Sequence, residues 1–173
     1  HVHVEYRRAN QVYEDVLGNV VDMGLVAFPT RDSKLEIVQL RKEPMVLICH
    51  PQHHLAKAKN LKVAALADER FIAFEADIPT RKATDKALRE HGVTTHPVME
   101  FDNIETVKRA VEIDAGIAIV PTTTVAQEVA KGSLAQVHIE DVDLFRPLAA
   151  IYKKNKVLSP AIKQFIGLLK ENP

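Results

Sequence analysis

The sequence predicts an α/β fold in which strands and helices alternate along almost the whole chain. Short apolar runs that fit strands are separated by segments whose apolar residues recur at helical spacing. Glycine, proline and helix-capping residues stand between these segments and mark their ends. The 173 residues, of which 46% are hydrophobic, can form one domain or two small lobes. Alternation of this kind predicts open, largely parallel sheets with helices on both faces.

The first third of the chain is predicted to contain four strands and one helix. The strands fall at 2–6, 23–28, 35–40 and 44–49. The helix, over 10–20, has an apolar face formed by Val12, Val16, Leu17 and Val20. The run at 44–49 is apolar throughout, which is typical of a strand buried on both faces. A polar connection then follows, with one turn of helix at 63–67.

In the middle of the chain, strands are predicted at 71–74 and 98–101, separated by a helix over 80–91. Gly92 stands at the expected C-terminal stop of that helix. The strand at 98–101 leads into a second helix. Asp102 as N-cap with Glu105 three residues later predicts a capping box at the start of this helix.

The last third is predicted to contain three strands, at 116–121, 134–139 and 147–152, and two helices. The first helix covers 123–130 and is followed by Gly132. The second begins at Ser159 and Pro160, an N-cap with proline at the first helical position.

Composition excludes several classes of protein. The 23 basic and 23 acidic residues give a formal net charge of zero, so nothing favours binding of nucleic acid or an acidic membrane by this chain alone. The single cysteine, Cys49, cannot form an internal disulfide and is expected to be a buried, inert thiol. No apolar run is long enough to span a membrane, and no signal segment opens the chain. The alternating start is typical of the middle of a fold, so we expect structure upstream of it.

Polar residues at three predicted strand-to-helix junctions form the candidate ligand site. In open α/β sheets, ligands bind beyond the carboxyl ends of strands, where helix N-termini favour anions. The junctions carry Thr80 with Arg81, Asp102 with Asn103, and Thr122 with its neighbouring threonines. Structural roles are the alternative: Arg81 as a solvated first-turn residue, Asp102 and Thr122 as helix caps.

Catalytic, cofactor and metal sites are not predicted. The sequence has no Gly-x-Ser-x-Gly elbow and no glycine-rich nucleotide loop. His50, His53 and His54 could bind a metal, as could the pair His1 and His3. However, adjacent histidines on a strand would point to opposite faces, and no carboxylate or cysteine stands at ligand spacing beside them. We therefore expect no metal site.

Five motifs in order resemble the effector-binding domain of LysR-type transcriptional regulators. Residues 102–111 (DNIETVKRAV), leading into 116–121 (GIAIVP), are the most distinctive. Residues 22–26 (DMGLV) and 43–56 (EPMVLICHPQHHLA) also match, with His54 where proline is usual. Arg81 fits, as does the closing strand before a C-terminal helix. The resemblance covers essentially the whole chain.

This resemblance implies the fold of type 2 periplasmic binding proteins, with two Rossmann-like lobes joined by two crossover strands. Lobe I would comprise 1–43 and 148–173, and lobe II 44–147. A small, anionic metabolite would bind in the cleft between them. In lobe I, Ala27, Phe28 and Pro29 would line this cleft, with Ala27 where the family often has a polar residue; Phe28 would pack on the effector or on lobe II.

The family domain normally begins with a strand and a helix that precede this sequence. Lobe I is therefore expected to be incomplete, with weakened ligand binding and a sheet edge that is covered by another chain or poorly ordered.

The resemblance implies a cytoplasmic, ligand-sensing regulatory domain without enzyme activity, cofactor or membrane contact. DNA would be bound only through an N-terminal winged helix-turn-helix absent from this chain, and the regulator would be a homodimer or homotetramer. One alternative is an extracytoplasmic solute-binding protein of a transporter. Another is an enzyme on the same scaffold, similar to prephenate dehydratases or deaminases, for which no acid/base constellation is present.

Overall fold

A 15-residue strand, β2 (Leu35–Cys49), replaces the two strands predicted at 35–40 and 44–49. The computed structural model describes residues 2–171. Arg41 and Lys42, between the two predicted strands, are exposed and do not interrupt the extended backbone. The segment lacks the Asn-Gly or Asp-Gly pairs that close a hairpin, so the chain continues straight.

The chain divides into two units. One comprises His1–Lys42 and Pro147–Pro173, and the other comprises Glu43–Arg146. We refer to them as unit 1 and unit 2. The strands β2 and β8 (Phe145–Lys153) each carry residues of both units.

Unit 1 contains α1 (Ala9–Leu17), β1 (Gly24–Ala27), most of β8 and α5 (Pro160–Glu171). Strand β1 pairs antiparallel with β8, from Gly24 opposite Ile151 to Ala27 opposite Leu148. Helix α1 packs closely on β1, since a Cβ at Gly24 would lie 2.3 Å from Cγ1 of Val12. The buried core of this unit is formed by Val16, Val26, Leu35 and Ile151.

Two predictions for the start of the chain are wrong. Residues 2–8 form no strand; Val2, Val4 and Tyr6 are all exposed, and an extended segment without a partner strand has no ladder to stabilise it. Helix α1 ends at Leu17 instead of residue 20, because Gly18 follows and Asn19 adopts a positive φ of 56°.

The final helix begins as predicted. Ser159 Oγ accepts a hydrogen bond from Ile162 N–H at 3.3 Å, which is the N-cap geometry, and Pro160 occupies the first helical position.

Unit 2 contains five further strands and three helices. The strands are β3 (Asn60–Leu61), β4 (Phe71–Phe74), β5 (Pro97–Phe101), β6 (Ala118–Pro121) and β7 (Ala135–Ile139). The helices are α2 (Pro79–Glu90), α3 (Ile104–Glu112) and α4 (Ala126–Lys131). Short 3₁₀ helices cover His54–Lys57, Val63–Leu66 and Thr122–Thr124, so the helix predicted over 123–130 is split in two.

The expectation of largely parallel sheets is wrong, because the pairing in unit 2 is mixed. Strand β2 pairs antiparallel with both β6 and β7. Parallel pairing joins β4 to β5 and β3 to β7. The antiparallel pairs arise because β6 and β7, which follow the helical connections, both return alongside the long strand β2.

Strand β2 is buried on both faces within unit 2, as predicted. Met45, Leu47 and Cys49 point into one apolar cluster, and Val46 and Ile48 point into another on the opposite face. Cys49 is fully buried, and burial raises the pKa of its thiol to about 11. The thiol is therefore protonated and inert, as expected from the sequence.

Lys108 connects α3 to the segment after β6. The side chain is almost fully buried, and Nζ donates to the carbonyl oxygen of Thr124 at 3.1 Å and to Glu128 at 2.9 Å. A third contact, at 2.9 Å, reaches Glu105 one turn earlier in α3. The hydrogen bond from Lys108 holds the pKa of Glu128 below its usual value. Nearby, Ser133 donates to Glu112 at 2.7 Å and lowers the pKa of that carboxyl.

Gly116→Ala is expected to destabilise the protein by about 1–3 kcal/mol, because its Cβ would lie 2.3 Å from the backbone oxygen of Arg70. That oxygen already accepts the N–H of Ile117 at 2.8 Å, so the backbone there has little freedom to move. Urea denaturation measures the change. Gly167→Ala in α5 is the control: its Cβ meets nothing within 4 Å, and it should stabilise by about 0.5–1 kcal/mol. Equal effects of the two substitutions would contradict the packing at Gly116.

Lys108→Met is expected to destabilise the protein at pH 7 by about 1–3 kcal/mol, since it removes charge-assisted hydrogen bonds. A carboxyl whose pKa is depressed by folding stabilises the protein above its unfolded pKa and loses this effect as pH falls through the folded pKa. The wild type should therefore lose stability more steeply than Lys108→Met below about pH 4.5.

Denaturation at a series of pH values tests this expectation. Lys86→Met, which removes an exposed contact to Glu90 at 3.8 Å, is the control and should change stability by less than about 0.5 kcal/mol. Parallel pH profiles for the wild type and Lys108→Met would show that the pair does not carry the acid sensitivity.

Candidate functional site

The carboxyl ends of β4, β5 and β6 lie at one edge of unit 2. Strands β4 and β5 are parallel, with Phe74 opposite Phe101. Ile117, just before β6, forms a parallel bridge to Phe71 at the start of β4. The three strands therefore run in the same direction, and the junctions that follow them share this edge. We call it the carboxyl edge of unit 2.

Arg81, in the first turn of α2, is surrounded by hydrogen-bond acceptors. Its guanidinium donates to Asp85 and to Glu100, each at 2.7 Å, and to the carbonyl oxygen of Phe74 at 2.7 Å. Burial lowers the pKa of Arg81, but the hydrogen bonds to the two carboxylates outweigh it and raise the pKa overall. The side chain is only 11% exposed, and it links α2 to β4 and β5. An incoming anion would compete with two carboxylates for this guanidinium.

Thr80, beside Arg81, is buried, and its carbonyl oxygen accepts a hydrogen bond from Thr84 Oγ1 at 2.9 Å. Thr80 therefore contributes little accessible surface to the junction before α2.

The N-cap of α3 is Asn103, so the capping box predicted for Asp102 and Glu105 is wrong. Asn103 Oδ1 accepts hydrogen bonds from the N–H and the hydroxyl of Thr106, both at 3.0 Å. Helix α3 begins one residue later than predicted, which moves the capping position from Asp102 to Asn103. Asp102 is exposed and accepts a hydrogen bond from the Asn103 amide at 2.8 Å.

The three threonines after β6 all donate hydrogen bonds within unit 2. Thr122 donates to the carbonyl oxygen of Pro44 at 2.9 Å, and Thr124 donates to Pro121 at 2.7 Å. Thr123 donates to Glu43 at 3.3 Å. The bonds from Thr122 and Thr123 fasten the segment after β6 to the start of the unit 2 portion of β2.

Glu43 is a buried carboxylate that was not identified from the sequence. It is 3% exposed and receives hydrogen bonds from both Nε and an Nη of Arg146, the former at 2.8 Å. A buried carboxylate requires such pairing because of its desolvation cost. The sequence separation of 103 residues left no local signal for this pair.

In unit 1, the candidate residues Ala27, Phe28 and Pro29 are half-buried at the end of β1. Phe28 has a positive φ of 50°, a strained conformation for an aromatic residue. Its N–H donates to the carbonyl oxygen of Pro147 at 2.9 Å, and the next turn is held by a bond from Thr30 N–H to the Tyr13 hydroxyl at 2.8 Å. Strain of this kind is often found at ligand-binding sites.

The structure brings His53, His54 and Glu69 together in unit 2. The prediction that no metal site forms rested on both histidines lying on a strand. They lie instead at the start of the 3₁₀ helix His54–Lys57. Their Nε2 atoms lie 3.5 Å and 2.9 Å from the two oxygens of Glu69. The carboxylate comes from a segment 15 residues away, which local spacing could not reveal.

The other histidines considered from the sequence do not join this cluster. His50 accepts a hydrogen bond from the N–H of Gln52 at 3.2 Å, and His3 contacts Glu5 at 3.0 Å. His1 lies outside the described residues. Among residues 2–171, no helix combines the length and the apolar composition needed to cross a bilayer.

Several relatives of this chain are named as transcriptional regulators. The chain is 31% identical over 147 residues to the RuBisCO operon transcriptional regulator of Allochromatium vinosum, covering 85% of this chain and 49% of the relative. It is 29% identical over 159 residues to the transcriptional activator CmpR of Synechocystis, covering 92% and 52%. The chain thus spans about half the length of the curated relatives it matches.

Solved structures share the fold. The Synechocystis CcmR regulatory domain, in complex with 2-PG, superposes with a TM-score of 0.84 at 26% identity, covering 95% of this chain and 79% of that one. The effector-binding domain of QuiR, in complex with shikimate, gives 0.83 at 20% identity, covering 95% and 78%. This likeness supports the expected fold, that of the LysR effector-binding domains. The sequence model of the family described as the LysR substrate binding domain matches residues 1–173 of this chain. The chain therefore belongs to that family.

Proposed function

We propose that this chain is the effector-sensing domain of a cytoplasmic LysR-type transcriptional regulator and that its effector is a small anionic metabolite. The observation that carries the proposal is the likeness to the CcmR regulatory domain, which holds 2-PG. The relatives are named as regulators, several of them of the RuBisCO operon, which favours this function over that of a transporter's solute-binding protein.

The carboxyl edge of unit 2 has chemistry suited to an anion. The N-termini of α2 and α3 both lie there, and each presents N–H groups and the positive end of a helix dipole. Asn103 adds an amide, and Thr122 adds a hydroxyl. We infer that the effector contacts these two side chains.

In unit 1, the strained turn at the end of β1 is the part that we infer contacts the effector. A backbone held at positive φ by two hydrogen bonds is preorganised, so little further ordering is needed when a ligand binds. We infer that Ala27, Phe28 and Pro29 present this turn to the effector.

Regulation requires that the effector bind one arrangement of the protein more tightly than another, because a ligand without such a preference shifts no equilibrium. We propose that DNA is bound by a winged helix-turn-helix elsewhere in the regulator. We also propose that the regulator acts as a homo-oligomer. The effector is released unchanged, and the domain has no enzyme activity.

2-PG is expected to raise the melting temperature of the purified chain and to bind in calorimetry, since a ligand that binds only the folded state stabilises it. Asn103→Asp keeps the oxygen that caps α3 but replaces the amide with a negative charge. We expect this variant to bind 2-PG about 10-fold or more weakly, from the loss of about 1.4 kcal/mol or more.

Asn103→Ser is the matched control, because serine also caps helices but adds no charge. It should fold as well as Asn103→Asp and bind 2-PG more tightly than that variant. Equal affinities in the two variants would place the ligand away from α3. Conversion of 2-PG to another compound would refute the sensing function.

Glu100→Gln tests whether Arg81 contacts the anion. Glu100 is 44% exposed and lies 2.7 Å from the guanidinium, so its removal frees part of Arg81 and reduces negative charge at the edge. We expect 2-PG to bind about 2- to 5-fold more tightly, corresponding to about 0.5–1 kcal/mol. Glu90→Gln, at the opposite end of α2, should leave the affinity unchanged. Unchanged binding in Glu100→Gln would assign Arg81 a structural role only.

A further inference from the structure

We propose that His53, His54 and Glu69 form a binding site for a divalent transition metal ion, for which Zn²⁺ is the probe. The three residues supply two imidazole nitrogens and a carboxylate, the ligand types that Zn²⁺ commonly binds through three protein side chains and water. The site lies within unit 2 and shares no residue with the proposed effector site.

The local backbone explains why adjacent histidines converge. After β2 ends, a turn is closed by the bond from His53 N–H to the carbonyl oxygen of His50 at 2.9 Å. His53 is extended, with φ −63° and ψ 144°, and the 3₁₀ helix starts at His54. This change of backbone conformation between neighbours brings both side chains to the same side. Their rings stack with centroids 4.5 Å apart and an interplanar angle of 30°.

Glu69 is held in place opposite the two rings. Its N–H donates to the carbonyl oxygen of Leu66 at 3.2 Å, which anchors the turn between the 3₁₀ helix Val63–Leu66 and β4. The side chains of Glu69 and His53 are each 15% exposed, whereas His54 is 68% exposed. The ligands are thus supported by the fold, and one side remains open for an ion to enter.

The distances fit a tetrahedral metal site. Zn–N and Zn–O bonds of about 2.0–2.1 Å place neighbouring ligand atoms about 3.3–3.4 Å apart. The Nε2–O distances here are 3.5 Å for His53 and 2.9 Å for His54, and all three ligand atoms lie within 4.8 Å of one another. The His54 side chain is 68% exposed, so its ring is free to rotate about the ion.

The hydrogen bond accepted by Nδ1 of His53 determines which ring proton a metal ion would displace. Its Nδ1 accepts the N–H of Leu55 at 3.3 Å, so the neutral ring carries its proton on Nε2, facing Glu69. An ion bound at Nε2 displaces that proton and moves it to Nδ1, which then no longer accepts from Leu55. The Leu55 bond, at 3.3 Å, is long and is lost in this exchange. Because two N–H donors would then face each other, the His53 ring or the Leu55 amide must shift when the ion binds. Without metal, the cluster is two imidazoles whose Nε2 atoms lie 3.5 Å and 2.9 Å from the oxygens of one carboxylate.

The test is titration of the purified, tag-free chain with ZnCl₂ by calorimetry, together with melting temperatures. We expect one ion per chain and an increase in melting temperature. His54→Gln alters only an exposed side chain and should fold normally, yet weaken Zn²⁺ binding about 10-fold or more; Glu69→Gln should do the same. His96→Gln and His138→Gln, both exposed in unit 2, are matched controls and should bind as the wild type does.

Amide NMR gives a second readout. Zn²⁺ binding should shift the Leu55 amide signal in the wild type, because its acceptor is lost, and should not shift it in His54→Gln at the same Zn²⁺ concentration. The proposal is overturned if the wild type does not bind Zn²⁺, if His54→Gln and Glu69→Gln bind it as tightly as the wild type, or if the control variants lose binding equally.

Discussion

Burial of residues 45–49 on both faces is the constraint on which unit 2 depends. These five consecutive apolar residues divide between two separate clusters, so each cluster is built on one face of the same strand. The antiparallel neighbours β6 and β7 complete the hydrogen bonds of this strand. The residues of β6 alternate between the same two clusters, whereas β7 adds Val137 and Ile139 to the first cluster only. At about 25 cal/mol per Å² of apolar surface, such two-sided burial is the main stabilising contribution available to a strand. The segments that follow β6 are held to this strand by Thr122 and Thr123.

Much of the fold was predictable, because apolar periodicity and capping residues are local signals. The strand at 71–74, the helix near 80–91 and the final helix beginning at Ser159 agree with the structure within a residue or two. The predictions were wrong where the structure of a segment depends on pairing with a strand that is distant in the sequence. Residues 2–6 have the alternation of a strand but pair with no other strand among the described residues. The antiparallel pairing of β2 likewise depends on segments distant in the sequence.

The candidate sites, like the fold, were predictable from the sequence only where the signal is local. The junctions after β4, β5 and β6 could be recognised from the sequence, because parallel strands must end at a common edge. What each side chain does there could not. Asn103 caps α3 in place of Asp102, and Arg81 is paired with carboxylates from two elements. Glu43 with Arg146, and Glu69 with two histidines, are brought together by tertiary structure alone.

The division of the chain into units has a consequence for synthesis. Unit 2 is one continuous segment, whereas unit 1 is assembled from residues on both sides of it. On the ribosome, every residue of unit 2 is therefore made before β1 can meet its antiparallel partner β8. During that interval β1 lacks the strand with which it pairs, and Ile151, which completes the buried core of unit 1, has not yet been added to the chain.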